Sequence, residues 1–511
     1  MDSAGSVNRT DGYVTDIGYT SGFYPETAPS HLAFAVLVGG QAPGQALRPQ
    51  RVLELGFGQG FGVALLAAAN PDIAFEGCDF NAAHVAHARG LIAEAGLANL
   101  SVKEASFEAA AAQAGDRDVD ILLLHGVLSW VAREAQEAVL AILRRRLRQQ
   151  GALYVSYNCL HGWAPLVPIR QFIIDIKRRH GGGSESQIAF ALDWLTRLKQ
   201  GNARYFAANP VAANHLDAML GMDPAYLAHE YLDDDWRLLQ FSDVVALLGQ
   251  ADLAYAASAT LTENFDPFAV PADLLPLLAQ TADPVLRETL RDFAANKFFR
   301  RDIFCRGGAA VDAAERRKIL TPMRFALAVP RRRMVFKFAG PVSELIGRDD
   351  IYVPLADLLA QKIASFDELL ALPAFGENAA GTLVECLALL IHSVIAPPSA
   401  DVEPAWRFNR VIVDRARTGR LYGYLASPVT GTGVAVDDFG LLTLAAVFDG
   451  QASTPAAAAR HGLSIIKALG RRPLDDGRPI EGDDAATTFL AARIAPVIED
   501  NIPLWRRLGA L

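Results

Sequence analysis

Hydrophobic and polar positions follow two rhythms along the chain. Between residues 51 and 157 short apolar runs alternate with longer stretches of helical period. The apolar runs at 52–55, 73–78, 100–103, 119–124 and 152–157 predict strands. The stretches at 61–70, 81–95, 107–114 and 133–148 predict helices, and Gly96 stands where a glycine ends the second of them. Strands apolar on both faces, each followed by a helix, imply a parallel sheet covered by helices. An apolar helix at 31–39 precedes the first strand, with Ser30 placed to cap it.

The rhythm changes after the fifth strand. Residues 164–222 read as mostly helical, broken at Gly181-Gly-Gly-Ser184, and suggest an inserted helical subdomain. A helix at 241–250 and a strand at 253–261 mark where the sheet is expected to resume. Residues 264–310 read as helical and contain the basic aromatic cluster Lys297-Phe-Phe-Arg-Arg301. Beyond residue 311 the chain is rich in alanine, leucine and proline. Strands at 333–338 and 350–354 and helices at 355–361, 366–371 and 379–395 suggest a separate α+β domain. Arg415, Arg417 and Arg420 flank a tyrosine-rich turn ahead of Thr430-Gly-Thr-Gly433. The expected organisation is a nucleotide-binding domain at 1–162, a helical insertion at 163–222, a middle domain at 223–310 that can complete the sheet, and a C-terminal domain at 311–511. The first thirty residues form an aromatic arm with Tyr13, Tyr19, Phe23 and Tyr24, either a lid over a ligand or a surface strap.

Composition narrows the function classes. A chain of 511 residues is too long for one core. Forty-eight basic against 57 acidic residues give a net charge of −9, which disfavours nucleic acid as a partner. Cys78, Cys159, Cys305 and Cys386 are too scattered for a Cys-x-x-Cys metal pair and read as reduced, buried thiols. No leader-like run opens the chain, and the longest apolar stretch, 383–397, is too short to span a bilayer. A cytoplasmic protein with no membrane partner is expected.

The chemistry is expected at the carboxyl ends of the strands, where ligands bind in open α/β sheets. The first strand runs into a turn with Gly56, Gly58 and Gly60, preceded by Glu54. The spacing is near the Gly-x-Gly-x-x-Gly dinucleotide fingerprint without matching it. Asp79 ends the second strand, 19 residues beyond Gly60, where a carboxylate suits a ribose diol. Phe80 follows it. Ser106 and Phe107 after the third strand could hold a purine. His125 and Trp130 after the fourth, with Tyr157 and Asn158 after the fifth, would surround the reacting end. Their aromatic faces attract a sulfonium or ammonium by cation–π contact. His84 and His87 could form a metal pair, but no third ligand is near, so a solvated helix face is the expected role and no metal is assigned.

These residues resemble the class I S-adenosylmethionine methyltransferases. The likeness rests on Glu54-Leu-Gly-Phe-Gly-Gln-Gly60, Asp79, Leu124-His-Gly-Val-Leu-Ser-Trp130 and Ser156-Tyr-Asn-Cys-Leu-His-Gly-Trp163. More narrowly, the chain is similar to bacterial enzymes with a methyltransferase regulatory domain, among them rickettsial protein lysine methyltransferases. Tyr24-Pro-Glu-Thr-Ala-Pro-Ser-His-Leu32, Tyr226-Leu-Ala-His-Glu-Tyr-Leu232 and the run ending Phe304-Cys-Arg306 agree with it. The resemblance implies a Rossmann-like domain with S-adenosylmethionine at Glu54, Gly56, Gly58, Gly60, Asp79, Phe80, Ser106, Phe107 and His125. It implies a reacting end formed by Tyr24, Trp130, Tyr157 and Asn158, with Glu26, His229 and Glu230 for the acceptor. It also implies a dimerisation segment in the insertion, hence a homodimer, and a protein lysine as acceptor. Small-molecule or glycan methylation and a non-catalytic cofactor-binding role are the alternatives. Two positions depart from the family pattern: Ser106 stands where an acid is common, and His161 where proline is expected.

Overall fold

The computed structural model describes residues 22–113, 115, 117–340, 342–376, 380–390 and 401–511. Tyr13 and Tyr19 of the aromatic arm, and the far end of the helix expected at 379–395, lie outside the described residues.

The five apolar runs form β1 (Arg51–Leu55), β2 (Ala74–Asp79), β3 (Leu100–Glu104), β4 (Val119–Leu124) and β5 (Leu147–Asn158). All pair in parallel. The crossovers are α2 (Phe61–Ala69), α3 (Ala82–Ala95), α4 (Phe107–Ala112) and α5 (Arg133–Arg146), with α1 (Pro29–Val38) ahead of them. Asn81 caps α3 and Ser106 caps α4 through their side-chain oxygens. Ser30 does not cap α1. Proline at the first helical position starts that helix, and the Ser30 hydroxyl donates instead to the carbonyl of Thr430.

Two late strands complete the sheet: β6 (Leu253–Ser258) and β7 (Phe299–Arg306), in the order β3-β2-β1-β4-β5-β7-β6. β7 runs antiparallel between β5 and β6, so the sheet is mixed, not wholly parallel. This corrects the helical reading of the stretch up to residue 310. The alternation in Arg300-Arg-Asp-Ile-Phe-Cys-Arg306 is masked because its buried charges satisfy one another. Arg300 donates to Asp302 at 2.8 Å, Asp292 at 2.6 Å and Glu288 at 2.9 Å, all buried.

The sheet's two faces bury different partners. On one, Leu53, Leu122, Leu153, Val155 and Phe304 pack with α5 and the helix Phe241–Gly249. On the other, Val52, Ile121, Leu123 and Tyr154 belong to a core that takes in α1, α2, α3 and the C-terminal residues Phe408, Ile412, Leu425 and Trp505. The insertion between β5 and β6 has its own core around Trp163, Ile173, Leu195 and Tyr231.

The C-terminal third mixes helices with short two-stranded ribbons, such as Tyr424–Ser427 with Thr432–Ala435. The strand expected at 350–354 is instead part of the helix Asp349–Gln361, and of the run at 333–338 only Lys337 and Phe338 are strand, within Lys337–Ala339. Asp349 and Asp350 favour the N-terminus of that helix, which outweighs its β-branched pair. The four cysteines are buried and free.

Candidate active site

Leu55 ends β1 inside the sheet, and the chain must turn at once into α2. Gly56, Gly58 and Gly60 do this with φ of 73°, 58° and 73°. A Cβ on Gly60 would meet that of Ala88 at 2.5 Å, so the glycine also sets how closely α2 approaches α3. Asp79, buried at the end of β2, closes the turn from below. One carboxylate oxygen accepts from Gly58 N at 2.9 Å, and the other from Asn81 N at 2.9 Å, with His84 Nδ1 at 3.3 Å.

The two histidines of α3 are therefore not a solvated face. His84 is buried on Asp79, and His87 Nδ1 lies 2.6 Å from the carbonyl of Gln59. Both support the turn, which helical periodicity alone did not reveal.

A cleft of about 1120 Å³ opens over the carboxyl ends of the strands. Tyr24, Glu54, Gly56, Gly58, Gly60, Asp79, Phe80, Ser106, Phe107, His125, Trp130, Asn158, His229 and Glu230 all line it. Two expected residues do not. Tyr157 is wholly buried on the opposite face, its hydroxyl donating to Asp302 at 2.6 Å. Successive strand residues point to opposite faces, so Asn158 and Tyr157 could not both enter the cleft. Glu26 stands behind the lining, with a carboxylate oxygen 3.5 Å from Nε of Arg301. His161 also lies outside the cleft and packs edge-on against Phe293 at 4.3 Å.

Sequence reasoning missed Arg301. It sits opposite Ser156 in the β5–β7 register and lines the cleft. Tyr226, Asp233, Asp235 and Glu134 were missed there too. The signal for Arg301 was available in principle: once 299–306 is strand, Arg300 and Arg301 must face opposite ways.

The cleft has two halves. In the glycine half, burial and the nearby Asp79 push the Glu54 carboxyl up to about 7. Ser106 is half-committed to capping α4, accepting from Ala109 N at 3.3 Å. In the other half Tyr24 stacks on His125, ring centroids 3.6 Å apart. His125 Nδ1 lies 2.9 Å from the Tyr154 hydroxyl and 3.2 Å from that of Ser156. Burial, reinforced by the Arg301 charge, pushes the imidazole down to about 3, so it is neutral. Asn158 Nδ2 donates to Glu230 at 3.4 Å. Burial drives the Glu230 carboxyl up to about 8, against the opposing effect of that hydrogen bond.

Two family models match this chain: residues 48–178 match a methyltransferase domain, and residues 223–306 match a predicted methyltransferase regulatory domain. An uncharacterized protein of Synechocystis sp. is 29% identical over 513 residues, covering 98% of this chain and 99% of that protein. An uncharacterized protein of Rickettsia prowazekii is 25% identical over 298 residues, which is 57% of this chain and 52% of that protein. The fold is similar to that of PKMT2 from Rickettsia typhi in complex with AdoHcy, with a TM-score of 0.68 at 17% identity over 96% of this chain and 100% of that one.

Proposed function

Because the chain is a class I, S-adenosylmethionine-dependent methyltransferase that carries a methyltransferase regulatory domain, we propose that it methylates lysine side chains of a protein. The residues of the glycine half fit the donor. The left-handed glycines let backbone approach the ligand closely, and the Asp79 oxygen that accepts from Gly58 N keeps acceptor capacity for a ribose hydroxyl. Phe80, 42% exposed at the rim, and Phe107 offer aromatic surface for an adenine. When bound, S-adenosylmethionine supplies the methyl group on a sulfonium.

The observation that carries the lysine reading is the acidic, aromatic half of the cleft. The volume exceeds the roughly 300–1000 Å³ of ordinary small-molecule sites, which leaves room for a second substrate. Tyr24, Trp130 and Tyr226 supply aromatic surface for a cationic side chain, and the carboxyl groups of Glu230, Asp233 and Asp235 line the same cleft. A lysine ammonium has no lone pair and must lose a proton before it can react. Glu230, oriented by Asn158 and titrating at about 8, is suited to take it in its ionised form, which is populated as the pH approaches 8. Its burial lowers the cost of keeping the amine neutral. Neutral His125 holds Tyr24 in place by stacking and does not act as an acid. The likeness to PKMT2 supports this acceptor class.

Incubation with labelled donor and cell lysate, followed by mass spectrometry, tests the reading. Label is expected on lysine. Label confined to small molecules or glycans would overturn it, and cofactor binding without any transfer would favour a non-catalytic role. Glu230→Gln is expected to lower kcat by about 10²–10⁴-fold, the usual contribution of a positioned base.

We also assign residues 1–162 to donor binding, 163–222 to dimerisation, 223–310 to the middle domain and 311–511 to the C-terminal domain. We place the protein in the cytoplasm, and a homodimer is in keeping with the exposed Trp194 and Leu220 of the insertion, at 48% and 53%. Among the described residues no helix is long and apolar enough to cross a membrane. Sedimentation is expected to show a dimer that Trp194→Glu with Leu220→Glu dissociates.

A further inference from the structure

From the contacts of the tyrosine-rich turn, we infer that the C-terminal domain is a working part of the donor site, holding the glycine turn through Tyr422, Arg415 and His87. The inference rests on the methyltransferase reading and assigns Tyr422 and Arg415 as positioning residues.

The chain of contacts begins at Gln59, inside the turn and on the cleft wall. Its carbonyl lies 2.6 Å from His87 Nδ1. A carbonyl can only accept, so Nδ1 carries the hydrogen and Nε2 must be an acceptor. Both neighbours of Nε2 come from the C-terminal region: the Tyr422 hydroxyl at 3.0 Å and Arg415 Nη1 at 3.1 Å. Arg415 also donates to the Tyr422 hydroxyl at 3.0 Å. The Tyr422 hydroxyl, which accepts from Arg415, can donate to the single lone pair of Nε2, and this fixes the tautomer that holds Gln59. Burial and then the Arg415 charge keep the imidazole below its ordinary value, which favours the neutral ring this geometry requires. Arg415 is itself anchored by the fork of Glu94 on α3, at 2.8 and 2.7 Å. The Tyr422 ring packs on Phe61, the first residue of α2, with centroids 4.7 Å apart.

The same domain grips the segment that carries Tyr24. The Phe23 ring meets Tyr424 edge-on at 5.0 Å, and a Cβ on Gly433 would strike the Phe23 ring at 2.6 Å. The segment from Arg415 to Gly433 thus contacts both the support of the glycine turn and Phe23, the residue before the tyrosine that stacks on His125.

Tyr422→Phe keeps the ring on Phe61 and removes only the hydroxyl. Calorimetric titration of the full chain with S-adenosylhomocysteine is expected to show about two- to tenfold weaker binding, the worth of one hydrogen bond. The KM for S-adenosylmethionine is expected to rise with kcat at saturating donor unchanged. Arg417→Gln, which loses a pair with Asp449 at 2.7 Å inside the same domain, is expected to bind as wild type does. His87→Gln is expected to weaken binding at least as much as Tyr422→Phe, with no further loss in the double variant. Wild-type affinity in Tyr422→Phe, or equal weakening in Tyr422→Phe and Arg417→Gln, would overturn the inference. Failure of the wild-type chain itself to bind the ligand would instead overturn the methyltransferase reading.

Discussion

Asp79 works in two directions. Its oxygens hold Gly58 and Asn81 from below and face the cleft above. Asp79→Ala is therefore expected to weaken donor binding about 10- to 100-fold, the range of a charge-assisted hydrogen bond, as read by calorimetry. Glu230 gives a second residue-level expectation, in stability. Its carboxyl titrates near 8 in the fold against an ordinary 4.5. Between those values the native state holds a proton that the unfolded chain releases, so stability falls as pH rises through this window. Glu230→Gln removes that cost. Thermal unfolding is expected to show the variant more stable than wild type above pH 8, with the difference gone below 4.5. At this scale the sequence was readable wherever a residue ends or directly follows a strand. Asp79, His125 and Asn158 reach the cleft by position alone. Tyr157 did not, because the two-residue period of the strand had to be applied as well.

At the scale of elements, the strand–turn–helix unit depends on an approach that only glycine permits. Gly60→Ala would bring a Cβ to 2.5 Å from Ala88 on a left-handed backbone. A loss of about 2–4 kcal/mol is expected in denaturant unfolding, with α2 displaced from α3. The five parallel strands were legible because each is apolar and bounded by a helical period. β7 was not, because a strand that buries Arg300, Asp302 and Arg306 carries the composition of an exposed helix. What identifies it is the partner set: Glu288 and Asp292 on the preceding helix Pro284–Ala294 neutralise Arg300. Removing one side of such a buried pair leaves an unmatched charge. Arg300→Met is expected to cost about 3–5 kcal/mol in denaturant unfolding, and Arg301→Met far less.

Across the whole molecule, the core beneath α1, α2 and α3 is finished by residues more than three hundred positions away. Phe408 and Tyr422 cover Phe61, and Asn70 donates to the carbonyl of Gly431 at 2.9 Å. A chain cut after residue 310 would expose this face to water. It is expected to aggregate, with strong binding of a hydrophobic dye and no monodisperse peak on size exclusion. Composition and length announced several domains, but this dependence could not be read from the sequence, since long-range burial leaves no local pattern.

Arg300 and Arg301 have one further consequence. Adjacent residues on one strand serve two masters: one arginine locks helix to sheet, and its neighbour lines the cleft. Parity is therefore the quantity under constraint between Asp292 and β7. A single extra residue before Phe299 would exchange the two guanidinium groups, and the protein would lose its staple and its cleft arginine by one event. Two extra residues would restore the order. In this stretch, the spelling can drift more freely than the count.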